Sequence, residues 1–193
     1  MIIKIDVDGV IRDLVGSMCD MYNEVVEDIS DSVKPDDITD YDVDKSFPLI
    51  SKSYGMKPSR YFFNERAEDT FRNYAFPLGF DSGSNMPSDA IRMLRDAGHK
   101  IVICTWQFTN SNKKTALDFL DEWCIPYDDI CFTRDKWLIG SDIIIDDNPE
   151  FLMDKREKSK IRMLIDQPYN KECTIKRYAN IMEAVLEIVP TSF

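Results

Sequence analysis

Ile2-Ile3-Lys4-Ile5-Asp6-Val7-Asp8-Gly9-Val10 runs a short, β-branched, mostly apolar segment straight into two aspartates and a glycine. The apolar part reads as a buried strand. Side chains two apart on a strand point the same way, so Asp6 and Asp8 leave its end together, and Gly9 permits a sharp turn there. Carboxylates this close repel unless a cation or a shared proton lies between them. A hard cation with oxygen ligands, Mg²⁺ above all, answers that need. A capped strand end with two solvated acids would also account for the pair, so the decision rests on what else in the chain converges there.

Two later segments converge. Lys100-Ile101-Val102-Ile103-Cys104-Thr105 is a second apolar strand, ending in a hydroxyl. Asp142-Ile143-Ile144-Ile145-Asp146-Asp147 is a third, ending in paired acids, with Lys136 just ahead of it. As neighbours in a parallel sheet, the three bring their carboxyl ends to one crevice, the place where open α/β sheets bind ligands. Strands alternating with helical segments along the rest of the chain predict a three-layer α/β core.

Asp6-Val7-Asp8-Gly9-Val10, Thr105, Lys136 and Asp146-Asp147 resemble, in order, the four motifs of the haloacid dehalogenase (HAD) phosphatase superfamily. The segments Pro87 to Gly98, Lys136 to Pro149 and Asp166-Gln167-Pro168-Tyr169-Asn170 resemble the 5′(3′)-deoxyribonucleotidase family within it. The resemblance implies a Rossmann-like HAD core with a parallel sheet, made by residues 1–15 and 78–193, and a small helical type-1 cap over residues 16–77. It implies a Mg²⁺-dependent phosphomonoesterase in which Asp6 is the nucleophile. Asp6, the backbone carbonyl of Asp8, Asp146 and Asp147 would hold the metal. The Asp8 side chain would protonate the leaving oxygen and later take a proton from water. Thr105, Lys136 and the N–H groups of the Asp8-Gly9 turn would hold the phosphoryl oxygens. The implied substrate is a 5′- or 3′-deoxyribonucleoside monophosphate. A sugar phosphate, a polynucleotide 3′-phosphate, or a non-catalytic binding role on the same fold are the rival readings.

In related nucleotidases cap aromatics stack on the base, which makes Tyr61, Phe62, Phe63, Phe71, Tyr74 and Phe76 candidates. The competing role for each is to fill the cap's own core, where aromatic side chains dominate. Trp106, after Thr105, stands where a small residue is common in the family. It would narrow the phosphate side of the pocket or wall the base. Lys113 and Lys114 read either as phosphate contacts or as a solvated helix face.

Composition narrows the partners. The 193 residues suit one core domain with a modest insert. A net charge of −11 argues against gripping a nucleic acid backbone, which needs clustered Lys and Arg. The expected partner is a small phosphate ester such as a nucleotide, with no nucleic acid polymer and no membrane; a homodimer is compatible with the chain. No apolar run reaches the length of a membrane span, and the N-terminus lacks a signal-peptide pattern, so a cytoplasmic chain is expected. The five cysteines form no C-x-x-C, which points to neither a zinc site nor a disulfide framework. The lone histidine, His99, sits in a turn and reads as incidental.

Apolar spacing predicts a helix from Ile11 to Ile29, with Ile29 inward and Arg12 at its start, solvated or touching substrate. Residues 30–60 read as loops and short helices, and 59–77 as helix-compatible. Gly79, Gly83 and Pro87 mark a return hinge from the cap. Helices are expected from Ser88 to Gly98, from Asn112 to about Trp123, through the 150s, and from Ile175 to Val189. Further strands are expected at Asp129–Thr133 and Arg162–Ile165.

Overall fold

The computed structural model describes residues 1–80 and 86–189. Six strands form one parallel sheet: β1 (Ile2–Ile5), β2 (Lys100–Thr105), β3 (Asp129–Phe132), β4 (Ile143–Asp146), β5 (Ile161–Ile165) and β6 (Arg177–Tyr178). Their order across the sheet is β3-β2-β1-β4-β5-β6, which puts the strand that carries Asp6 near the middle. Ile5 lies opposite Ile103 of β2 and Ile145 of β4, so the three motif strands end at one level. The central strands are near-continuously apolar because both faces are covered.

Among the described residues six α-helices of five residues or more accompany the sheet: α1 (Leu14–Asn23), α2 (Pro48–Tyr54), α3 (Met86–Asp96), α4 (Asn110–Glu122), α5 (Pro149–Met153) and α6 (Ile181–Ile188). On one face, Ile3, Ile5, Ile103 and Ile145 pack with Ile91 and Leu94 of α3, Phe119 of α4 and Val185 of α6. On the other, Ile144 and Leu164 pack with Leu152 of α5. Lys4, 1% exposed, points to that second face because it alternates with Ile3 and Ile5. Its ammonium has three N–H groups and finds three acceptors: the carbonyls of Lys136 (2.8 Å) and Ile139 (2.9 Å) and the Glu157 carboxylate (2.7 Å). The buried charge is thereby satisfied, and β1 is tied to the loop that presents Lys136. Among the described residues no helix is long and apolar enough to cross a membrane.

Between β1 and α3 lies a helical insert with an apolar cluster of its own, including Met18, Tyr22, Phe47, Ile50 and Phe62. It leaves and re-enters the core through paired backbone: Asp13 N–H donates to Phe76 (2.9 Å) and Leu78 N–H to Ile11 (2.7 Å).

Several elements differ from the sequence expectation. α1 starts after Asp13, whose carboxylate accepts from the Gly16 N–H (2.8 Å), and ends at Asn23 rather than Ile29. Beyond it Asp28 accepts from the Ser30 N–H (2.9 Å) and starts a separate 3₁₀ turn, which leaves Ile29 86% exposed. Tyr61–Glu65 and Asp69–Asn73 are π-helical turns, not a regular helix. The helix of the 150s stops at Met153, where Asp154 folds the chain back by accepting from the Arg156 N–H (2.8 Å). The expected C-terminal helix begins later, at Ile181, capped by Asn180. The residues before it supply β6 instead, paired with β5. The first helix after the insert already includes Met86, before the expected start at Ser88. Gly83 of the expected hinge lies outside the described residues.

Candidate active site

The end of β1 builds the floor. Asp6 N–H continues the ladder to Ile145 (3.0 Å), and the chain then turns back, with the N–H groups of Ile11 and Arg12 both donating to Val7 (2.8 Å each). Gly9 takes a φ of +74° in this turn. A Cβ there would lie 2.6 Å from Asp147 Oδ2 and 2.8 Å from the Tyr169 hydroxyl, so the backbone approaches as only glycine allows. Gln167 Nε2 donates to the Gly9 carbonyl (2.9 Å) and holds the turn.

Lys136, 2% exposed, sits on a 3₁₀ turn after β3 and places Nζ 2.7 Å from Asp6 Oδ2 and 2.6 Å from Asp146 Oδ2. Asp6, Asp146 and Asp147 bring three buried carboxylates together, with an oxygen of each within 4.8 Å of the others. One ammonium faces three acids, so the cluster remains short of positive charge. Asp146 Oδ1 is occupied by the Asn148 N–H (2.9 Å), and Asp147 Oδ2 by the Tyr169 hydroxyl. Among the described residues Asp6 Oδ1 is buried with no hydrogen-bond partner. Burial, with repulsion from Asp146 and Asp8 and against the pull of Lys136, raises the Asp6 carboxyl to about 7. Burial, then Asp146 and Asp6, push Asp147 well above the usual carboxylate range. Burial would lower the Lys136 ammonium, but Asp146 and Asp6 outweigh it and raise it. An oxygen-only donor set with an orphaned carboxylate oxygen fits a hard divalent cation.

Asp8 turns away from that cluster. Its Oδ1 accepts from Arg12 Nε (2.7 Å), and its Oδ2 from Gln107 Nε2 (2.9 Å). Above this floor, Leu14, Val15, Met18, Ile38, Val43, Phe63, Phe71, Trp106 and Phe108 wall one cavity with Asp6, Asp8, Thr105, Lys136 and Asp147 at its base.

The site thus sets a floor of three acids and one lysine under an aromatic wall. The family model for 5′ nucleotidase, deoxy (pyrimidine), cytosolic type C, matches residues 1–191. The chain belongs to this family. It is accordingly a phosphoric monoester hydrolase. A protein of Chlorobaculum tepidum, whose name of 5′(3′)-deoxyribonucleotidase is itself an inference, is 28% identical over 188 residues, spanning 93% of this chain and 86% of that protein. Among solved structures, a Thermotoga maritima protein, named by inference a β-phosphoglucomutase, superposes with a TM-score of 0.58 at 13% identity, covering 97% of each chain. A dehalogenase superposes with a TM-score of 0.55 at 12% identity, covering 98% of this chain and 97% of its own. At such identities these structures share the HAD fold, and the α/β sheet expected from sequence is that fold.

Of the residues expected at the nucleotidase site, Asp6, Asp8, Gly9, Thr105, Trp106, Lys136 and Asp147 all line the cavity, and Asp146 lies beneath Lys136. The Asp8 carboxylate is not part of the three-acid cluster. The cap aromatics divide. Phe63 and Phe71 line the cavity; Phe62 and Tyr74 do not. Phe62 is fully buried against Phe47 (ring centroids 5.0 Å) and Tyr61 (5.2 Å), because neighbouring residues on a helical turn face different sides. Tyr74 donates its hydroxyl to Glu24 instead. Tyr61 belongs to the insert's core, and Phe76 stacks outside on Phe80 (5.8 Å). Lys114 pairs with Asp118 (2.6 Å) on an exposed helix face, and neither it nor Lys113 lines the cavity.

Arg12 is the largest correction: expected in solvent or against the substrate, it is fully buried and does not line the cavity. Gln107, Tyr169, Tyr41 and Phe108 reach the cavity without having been singled out. Gln107 had a signal, since it follows Thr105 by two and strand alternation puts both on one side.

Proposed function

We propose that the protein is a Mg²⁺-dependent phosphomonoesterase that hydrolyses 5′- or 3′-deoxyribonucleoside monophosphates through an aspartyl-phosphate on Asp6. The observation that carries this reading is the Asp6 carboxylate. It stands at the base of an aromatic-walled cavity, gripped by Lys136 through Oδ2, with Oδ1 left free. Family membership and the name of the Chlorobaculum tepidum relative support the substrate class.

Asp6, Asp146 and Asp147 would hold Mg²⁺, which when bound supplies the charge that offsets a phosphate dianion. Lys136 orients Asp6 and adds a positive charge beside the phosphoryl group. Thr105 offers its hydroxyl to a phosphoryl oxygen; the Gly9 N–H, expected to do the same, is instead given to the Arg12 carbonyl (2.9 Å). Asp8 protonates the leaving sugar oxygen and takes the proton back from the water that hydrolyses the acyl-phosphate. Phe63, Phe71, Trp106 and Phe108 receive the base, and the insert, read as residues 16–77, acts as a cap that excludes water.

Phosphate release should be measured over a panel of deoxy- and ribonucleoside 5′- and 3′-monophosphates and sugar phosphates, with Mg²⁺ and with EDTA. Mg²⁺-dependent release favouring deoxynucleotides is expected, with activity lost in a folded Asp6→Asn variant. Turnover of sugar phosphates alone would overturn the substrate class, and an active Asp6→Asn the mechanism.

A further inference from the structure

The two oxygens of Asp8 have different surroundings. Oδ1 accepts a hydrogen bond from Arg12 Nε at 2.7 Å, and Arg12 Nη2 lies 2.7 Å from the same atom as an ion-pair contact rather than a hydrogen bond. Among the described residues Oδ2 accepts from an amide alone, Gln107 Nε2, at 2.9 Å, on the side of Thr105. Arg12 is locked in place. It is fully buried, its Nη1 donates to the Phe71 carbonyl (2.9 Å), and its guanidinium lies 4.7 Å from the Phe71 ring and 5.2 Å from the Phe119 ring. Phe71 belongs to the insert and Phe119 to α4 of the core, so the guanidinium is held from both sides.

Burying a guanidinium carries a large desolvation penalty, and an apolar side chain of the same volume would fill the space at least as well. What the guanidinium adds is a charged N–H donor, Nε, held rigidly against Oδ1, with Nη2 close to the same oxygen. We propose that Arg12, assisted by Gln107, is a positioning residue that anchors Asp8 through Oδ1 and leaves Oδ2 as the oxygen that carries the travelling proton. The proposal rests on the phosphomonoesterase reading above.

In the first step an Asp6 oxygen bonds to phosphorus and the ester P–O bond breaks, its electron pair staying on the sugar oxygen. The proton on Asp8 Oδ2 moves to that oxygen and leaves Asp8 a carboxylate. In the second, water bonds to phosphorus, gives a proton to Oδ2, and the bond from phosphorus to Asp6 breaks to restore the Asp6 carboxylate. Oδ1 takes no proton in either step, because Arg12 already occupies it.

The test compares leaving groups in the full chain with Mg²⁺, folding being checked by circular dichroism. A deoxyribonucleoside 5′-monophosphate needs a proton on its departing oxygen; p-nitrophenyl phosphate releases a stable phenolate and does not. The quantity compared is kcat/KM, which covers only the steps through departure of the leaving group. In Arg12→Met, kcat/KM for the nucleotide should fall about 100-fold while that for p-nitrophenyl phosphate stays within about threefold, since only the first reaction uses the acid. Gln107→Met should show the same split at smaller size, and Arg12→Lys, which keeps a donor, an intermediate one. Equal losses on both substrates, or none on either, would overturn the proposal and leave Arg12 a structural residue. Should Arg12→Met not fold, Gln107→Met and Arg12→Lys decide the question in the same way. Wild-type protein that turns over neither phosphate would remove the phosphomonoesterase reading, an outcome visible before any variant is compared.

Discussion

Gly9 and Lys136 show how little latitude single positions have at this site. A methyl group on Gly9 would press on the Asp147 carboxylate and the Tyr169 hydroxyl from a backbone already at φ +74°. Gly9→Ala should therefore lower the melting temperature, by an equivalent of about 1–3 kcal/mol, and cut phosphate release; unchanged values for both would refute the close approach. Lys136 is the cation that lies between Asp6 and Asp146. Lys136→Met leaves buried acids without it and should destabilise the metal-free protein by about 3–5 kcal/mol in denaturant unfolding. Added Mg²⁺ should recover part of that stability but not the turnover, because the charge beside Asp6 is also gone.

Among the elements, the π-helical turns of the insert decide which aromatics serve the cavity. Tyr61–Glu65 sends Phe62 into the insert's core and Phe63 to the cavity, where Phe63 stacks on Phe71 (5.8 Å) and Phe108 (6.3 Å). Neighbouring substitutions should thus behave oppositely. Phe62→Ala empties a packed site and should cost about 3–5 kcal/mol of stability. Phe63→Ala should leave stability nearly unchanged and raise KM for nucleotides. Trp106→Ala should do the same, since the indole is 36% exposed and bears on Phe108 at 4.2 Å and on the Arg134 guanidinium at 5.0 Å. A KM effect from Phe62→Ala that exceeds that of Phe63→Ala would contradict the assignment.

The molecule as a whole carries a net charge of −11, so a dianionic substrate is captured at short range rather than steered from afar. The same local balance governs stability. In the metal-free protein the Asp6 carboxyl is raised to about 7 from an ordinary 3.8, so between these values the folded state holds a proton that the unfolded chain has released. Stability therefore falls as pH rises through that window, and Asp147, also raised, adds to the fall. A Mg²⁺ ion held by these acids would compete with their protons. Its gain in melting temperature should be larger near pH 8 than near pH 5.5; equal gains at both would mean that the cation binds elsewhere.

Much of this architecture was legible along the chain because it depends on short-range patterns. A mostly apolar run of four residues leading into Asp6 and Asp8 needs only strand alternation to place two acids together, and two further strands of the same kind imply the parallel sheet and its crevice. The acids, the threonine and the lysine at that crevice could be named on the same basis. The destination of each insert aromatic could not. Irregular turns have no single period, so the facing of Phe62 and Phe63 follows from packing against Phe47 on one side and Phe108 on the other. Arg12 likewise read as solvated or touching substrate, because a guanidinium is buried only when surrounding groups offset its desolvation. Asp8 is four residues away, but the Phe71 carbonyl and the rings of Phe71 and Phe119 come from far along the chain, and only the folded chain assembles them around Arg12.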